Sequence, residues 1–319
     1  MQMQCTNKKT GLEPVFFTSA HSARGGCVIV LFYQTVLLNL PDLSAQFPRL
    51  NCNPLTLFPA CYTERTNMTQ KIAIITGGSR GLGKNAALHL ARDGVDAIIT
   101  YHSNAEAAQS TVKEIEALGR RAVALKLDAG NSAEFDGFVA QVKQALADTW
   151  QTDRFDFLIN NAGIGINSPI AETTEETFDT LMNIHLKGPF FITQKLLPVI
   201  KDGGRIVMIS SGLSRFAFPG YGVYGAMKGG VEVLARYLAK ELGSRRIAVN
   251  TIAPGAIETD FRGGEIRDNK QANAAVAAAT ALGRVGLPDD IGGAIAALLS
   301  DGSGWINAQR IEVSGGMFI

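Results

Sequence analysis

From residue 71 onward, short apolar runs alternate with longer stretches of helical periodicity, and no other feature restricts the fold as much. Residues 71–76, 97–101, 122–127, 155–160, 204–210, 247–252 and 310–313 have strand length. They are almost continuously apolar, so both faces of each strand must be buried. Between them, residues 82–93, 105–118, 132–148, 178–200, 223–242 and 289–299 read as helices. Strands and helices in this order make a parallel sheet covered on both sides. The expectation is a single α/β domain: a doubly wound parallel sheet of about seven strands. Ligands of such sheets lie at the carboxyl ends of the strands, which is where chemistry-bearing motifs should fall.

Residues 1–67 read differently. They lack periodicity, carry few charges and are punctuated by Pro41, Pro48, Pro54 and Pro59. All four cysteines (Cys5, Cys27, Cys52 and Cys61) fall here, and none forms a C-x-x-C pair. The apolar run 25–41 is shorter than the roughly 20 residues of a membrane span. Lys8, Lys9 and Arg24 precede it in the manner of a signal peptide, but no small-x-small cleavage site follows. Residues 1–67 are therefore expected to be an extension outside the folded domain, disordered or translated ahead of a true start at Met68. A targeting or anchoring segment is the alternative. Residues 68–319 are the expected domain.

Charge excludes some partners. Lys plus Arg (30) balances Asp plus Glu (29), which leaves no basic arm for nucleic acid. His21, His89, His102 and His185 are scattered without ligand spacing, so no metal site is expected.

The first strand is followed by Thr76-Gly77-Gly78-Ser79-Arg80-Gly81-Leu82-Gly83, which opens a helix. Glycines allow a tight turn and close backbone approach, and a helix N-terminus offers free N–H groups to a pyrophosphate. The second strand ends His102-Ser103-Asn104. No Asp or Glu stands there to grip a ribose 2′-hydroxyl. That absence, with Arg80 in the loop, favours NADP(H) over NAD(H). His102, Ser103 and Asn104 are candidate phosphate neighbours, although any of them could instead cap the next helix.

Tyr224 and Lys228 form a Y-x-x-x-K at the start of a helix, so they share a face. A free phenol titrates near pH 10, and an adjacent ammonium would lower that value. Tyr221 has no such partner, since residue 225 is Gly. Ser211 ends the preceding strand, where its hydroxyl can meet a substrate carbonyl.

In order and spacing these motifs resemble the short-chain dehydrogenase/reductase family, in its subgroup of about 250 residues that includes 3-oxoacyl-carrier-protein reductases. The resemblance covers residues 68–319 and implies a Rossmann-type fold and hydride transfer with NADP(H). It implies that Gly77, Ser79, Arg80, Gly81, Leu82 and Gly83 seat the cofactor and that Asp128 contacts the adenine. Asn161-Ala162-Gly163 match an N-A-G motif, and Pro254, Gly255, Ile257 and Thr259 fall in P-G-x-x-x-T, whose threonine holds the carboxamide. Ser211, 13 residues before Tyr224, has the family's separation. Lys228 also binds the nicotinamide ribose in the family. One position departs from the pattern. Where the family carries an Asn before Leu, in N-L-x-G, this chain has His185 before Leu186, with Asn183 two residues earlier. In the family that Asn holds a water through its main-chain carbonyl. His185 could supply the same carbonyl or join the proton relay through its imidazole, or it could only pack.

The expected reaction is hydride transfer between NADP(H) and a carbonyl or alcohol, such as a 3-oxoacyl thioester or a small ketone. An NAD-dependent alcohol dehydrogenase and an NADP(H)-sensing protein without turnover are the alternatives. Substrate walls are expected from residues 212–221, where Phe216 and Phe218 could line the site or equally pack against a neighbouring subunit and Arg215 could meet an acidic substrate group or simply be solvated, and from the Ala-rich segment 260–282, read as a mobile helical lid. No nucleic-acid or membrane partner is expected. The resemblance implies a cytoplasmic homotetramer or homodimer.

Overall fold

The computed structural model describes residues 70–319; the readings made for residues 1–67, and for a start at Met68, lie outside the described residues. Seven strands form one parallel sheet: β1 (Ile72–Ile75), β2 (Asp96–Tyr101), β3 (Ala122–Lys126), β4 (Phe155–Asn160), β5 (Ile200–Ile209), β6 (Ala248–Pro254) and β7 (Arg310–Val313). Their order, β3-β2-β1-β4-β5-β6-β7, reverses direction between β1 and β4. That switch point is where a doubly wound sheet opens a crevice.

The continuous apolar runs have a direct cause, because successive strand residues serve opposite layers. Ile72 and Ile74 point into one core with Phe155, Leu158, Ile206 and Met208. Ala73 and Ile75 point into the other with Phe157, Ile159, Val207 and Ile252. The first layer is closed by α3 (Phe135–Ala145), α5 (Gly188–Leu196) and α6 (Gly222–Glu241) through Phe138, Val142, Ile192 and Val231. The second is closed by α1 (Gly81–Arg92), α2 (Ala105–Ala117) and α9 (Pro288–Leu299) through Leu90, Val112, Ile115 and Ile295. Fully burying each of these aliphatic side chains contributes about 1.5–3 kcal/mol.

Two long helices differ from the sequence reading. The helix expected over 178–200 runs from α4 (Glu175–Met182) through a π-helical turn, Asn183–Lys187, into α5. It stops at Leu196, with Leu197 still in helical conformation, because Pro198 has no N–H to carry the helix hydrogen bonds further. Ile200 already pairs with Phe155, so β5 starts earlier than expected, with a bulge before the register settles at Phe157 and Arg205. The helix expected over 132–148 begins as a tight turn, Ser132–Glu134, and ends in a wide one, Leu146–Trp150. Segment 260–282 is helical, with α7 (Glu265–Asp268) and α8 (Lys270–Ala278); the Asn269 side chain caps α8.

Candidate active site

The glycine loop joins β1 to α1 at the switch point. Gly77 has φ of +67° and Gly81 +54°, a region that L side chains rarely adopt. At Gly83 a side chain is excluded by contact: its Cβ would stand 2.3 Å from the Gly77 carbonyl oxygen. Arg80 occupies the N-cap of α1 without capping it, and the first turn holds no acidic residue. The first N–H groups of α1 thus face the crevice without a side-chain acceptor, a cradle suited to a dinucleotide's phosphates.

The loop is held from two sides. The Asn161 side-chain amide donates to the carbonyls of Thr76 (2.9 Å) and Gly77 (3.2 Å). The Thr76 hydroxyl accepts from the N–H groups of Asn161 and Ala162, both at 2.9 Å. The side chain of Asn161, in the motif expected to contact cofactor, shapes the loop. Across the loop, the Gly77 N–H donates to Thr100 Oγ1 at 3.0 Å, and Thr111 Oγ1 donates to the Ser79 carbonyl at 3.3 Å. Leu82 packs into the core, which leaves its main chain to the loop.

Arg80, His102 and Ser103 are exposed at the open ends of β1 and β2. His102 Nε2 lies 3.7 Å from Asp128 Oδ2, and Asp128 Oδ1 accepts from the Gly130 N–H at 2.8 Å. Capping of α2 falls to Asn104, whose side chain accepts from Ala107 N–H at 2.9 Å, so His102 and Ser103 are free of that task. At the far end, Pro254 closes β6 and the Gly255 N–H donates to the Val313 carbonyl at 3.1 Å. Ile257 bridges to Gly286, and Thr259 stands above the glycine loop, its Cβ 3.9 Å from where a Gly81 side chain would begin. Between loop and lid is a cleft of about 260 Å³ lined by Gly81, Lys84, Thr259 and Arg267 among others.

Ser211, Tyr224, Lys228 and His185 come together beside this crevice. Tyr224 and Lys228 are buried on α6, and Tyr224 hydrogen-bonds Ser211, the extended residue that follows β5. Lys228 Nζ lies 5.6 Å from the centre of the Tyr224 ring. The His185 ring, in the π-helical turn, meets the Tyr224 ring edge-on at 5.0 Å. His185 Nε2 donates to the Ile164 carbonyl at 2.7 Å, which fixes the ring and leaves Nδ1 buried without a partner. The ring also occupies the space beside Gly163, where a Cβ would fall 2.7 Å from His185 Cε1.

The electrostatics revise one expectation. Lys228 was expected to bring the Tyr224 phenol down toward neutrality. Burial dominates and pushes it up to about 12, with the Ser211 hydrogen bond acting in the opposite direction. Burial likewise lowers the Lys228 ammonium to about 7, which weakens the charge meant to act on the phenol. His185 is held down to about 3 by burial and by Lys228, so its imidazole is neutral at physiological pH.

The substrate side is aromatic. Phe261 lies 6.3 Å from the Tyr224 ring, Tyr221 6.5 Å from it, and the Arg262 guanidinium sits 4.9 Å over Tyr221. Phe218 is half exposed near Tyr221. Phe261 and Arg262 were not singled out from sequence. They lie in segment 260–282, expected as a wall, but nothing local marks them out; they pack against Gly165, nearly 100 residues earlier, where a Cβ would strike both side chains. Two expected wall residues are otherwise engaged. Arg215 forms a two-pronged ion pair with Glu312 (2.8 and 2.9 Å), and Phe216 meets the Phe318 ring edge-on. Among the described residues, no cluster of His, Cys, Asp or Glu could hold a metal ion, and no helix is long and apolar enough to cross a membrane.

A family model described as enoyl-(acyl carrier protein) reductase matches residues 77–318. Tetrahydroxynaphthalene reductase PfmaG of Pestalotiopsis fici is 35% identical over 260 residues, covering 77% of this chain and 91% of that protein. The angucycline C-6 ketoreductase LanV, solved with bound NADP, aligns with a TM-score of 0.74 at 35% identity, over 78% of this chain and 95% of its own. A short-chain dehydrogenase/reductase from Serratia marcescens aligns with a TM-score of 0.72 at 28% identity, over 78% and 98%.

Proposed function

This chain belongs to the short-chain dehydrogenase/reductase family, and on that premise we propose that it reduces a ring ketone to a secondary alcohol with NADPH. The observation that carries the reading is the meeting of half-buried Ser211 with buried Tyr224 and Lys228 beside a glycine loop with no carboxylate at the end of β2. A protein that only sensed NADP(H) would have no use for that trio. When bound, NADPH supplies the hydride that adds to the carbonyl carbon. Gly77, Gly81 and Gly83 would admit its pyrophosphate, and exposed Arg80 and His102 would hold its 2′-phosphate; Thr259 stands over the loop.

The remaining steps belong to the chain's own side chains. Ser211 Oγ holds the carbonyl oxygen and polarises it. Tyr224 is a phenol at neutral pH, since burial places it at about 12; it donates its proton to the same oxygen as negative charge develops there. Lys228 stabilises the phenolate left behind, through the fraction of its ammonium that persists near its value of about 7. His185 holds the Ile164 carbonyl and walls the ring of Tyr224, in the place where the family carries Asn.

The substrate class follows from the mouth of the site. Tyr221, Phe261 and Phe218 offer flat faces to a fused or aryl ring, and the relatives named as tetrahydroxynaphthalene reductase and angucycline ketoreductase act on such rings. We read a fused-ring ketone as a better fit than a 3-oxoacyl thioester. A panel of bicyclic aryl ketones and 3-oxoacyl thioesters, followed by NADPH absorbance at 340 nm, tests this. Faster turnover of the thioesters would contradict it. Assembly into a dimer or tetramer is supported by the exposed Phe178, Phe190, Val233 and Tyr237 on α4, α5 and α6, and light scattering tests it. A cytoplasmic setting accompanies this reading, since NADPH is the reductant.

A further inference from the structure

We propose that Glu232 is a positioning residue: its carboxylate fixes Ser211 to the helix that carries Tyr224 and Lys228. The inference rests on the reading of Ser211 as the hydroxyl that meets the carbonyl. Glu232 follows Lys228 by one helical turn on the same face of α6. A single oxygen, Oε1, receives the Ser210 hydroxyl at 2.7 Å, the Ser214 hydroxyl at 2.6 Å and Arg310 Nε at 2.7 Å. Ser210 and Ser214 bracket Ser211 in the chain. Arg310, from β7, also donates to the Ser211 carbonyl at 3.3 Å, and Ser214 Oγ lies 2.7 Å from the same carbonyl.

The consequence is geometric. Ser211 follows β5 and Tyr224 lies on α6, and these elements touch substrate from different directions. Glu232 gathers Ser210, Ser214 and the arginine that holds the Ser211 carbonyl. A carboxylate suits this task because it only accepts and has lone pairs for several donors. Arg310 pairs its guanidinium with that carboxylate, and Glu312 extends the network to Arg310 (2.9 Å) and Arg215. Glu232 touches neither the crevice nor the reacting atoms. It acts through Ser211, whose hydroxyl must lie within hydrogen-bond reach of the oxygen that Tyr224 protonates.

The test compares Glu232→Ala and Glu232→Gln in the full chain, well below the melting temperature of each. Glu232→Ala is expected to lower kcat about 10- to 100-fold, the scale at which misplacement of a reacting group acts. NADPH affinity, read by nicotinamide fluorescence, is expected to stay within about twofold, since no cofactor contact changes. Glu232→Gln keeps an oxygen acceptor for the two serines and is expected to recover most of the lost kcat. Either Ala kcat within twofold of the parent, or a Gln variant as slow as Ala, would overturn the proposal. A crystal structure of Glu232→Ala gives a readout independent of turnover. A displaced Ser211 supports the positioning role even if no ketone is reduced; an undisplaced Ser211 overturns it while leaving the proposed reaction standing.

Discussion

Lys228 Nζ donates to the main-chain oxygen of Ile209 at 2.7 Å. The bond runs from the second turn of α6 to the last residue of β5, two positions before Ser211. It joins the two elements that carry the reacting hydroxyls, and it gives a buried ammonium one fixed acceptor. Burial still lowers Lys228 to about 7, and burial with the Lys228 charge lowers His185 to about 3.

These shifts predict how stability varies with pH. A base whose folded pKa is depressed binds fewer protons folded than unfolded, so stability rises with pH between the two values. For Lys228 the window runs from about 7 to the ordinary 10.5, and for His185 from about 3 to 6.5. Urea denaturation across pH is expected to show a weaker acid-side loss in His185→Asn over the lower window. Lys228→Met is expected to flatten the rise over the upper one. Parallel curves for parent and variants would contradict both assignments.

Arg80 is exposed beside the end of β2, where no carboxylate opposes a 2′-phosphate. A hydrogen bond to a charged group contributes about 1.5–3 kcal/mol. Arg80→Ala is therefore expected to weaken NADPH binding by about 10- to 100-fold while leaving NADH binding nearly unchanged. Titration by nicotinamide fluorescence measures both, and an equal loss for the two cofactors would assign Arg80 to the shared pyrophosphate instead.

Gly165 sets the position of the aromatic wall. A Cβ there would fall 2.7 Å from Phe261 Cε1 and 2.6 Å from Arg262 Cγ, so a methyl group must displace these two side chains. Arg262 already holds φ of +55°, which leaves little freedom to absorb the shift. Gly165→Ala is expected to raise KM for the ketone several-fold with NADPH affinity unchanged. An unaltered KM would remove Phe261 and Arg262 from the substrate wall.

The strands, the glycine loop and the Tyr224–Lys228 pair were legible because each is a local pattern. Residues 71–76 read as strand because alternate side chains fill two cores, and Y-x-x-x-K reads as one face because four residues make a turn. What stayed hidden depends on contacts across the chain. Asn161 was recognised by its motif, yet its side chain serves the carbonyls of Thr76 and Gly77, a role with no local mark. Thr100 supports the same loop from the neighbouring strand. Arg215 looked like a loop cation open to substrate until Glu312, nearly 100 residues on, took both of its prongs. The direction of the Tyr224 shift was misread because spacing shows the cation but not the burial.

Tyr224→Phe tests the central claim most directly, since it removes only the proton donor. Single-turnover reduction of a bicyclic aryl ketone is expected to slow by about 100-fold or more, the range of general acid catalysis. NADPH binding by nicotinamide fluorescence is expected to remain within about twofold of the parent. A variant that reduces the ketone at the parent's rate would contradict Tyr224 as the proton donor, and with it the proposed reaction at this site.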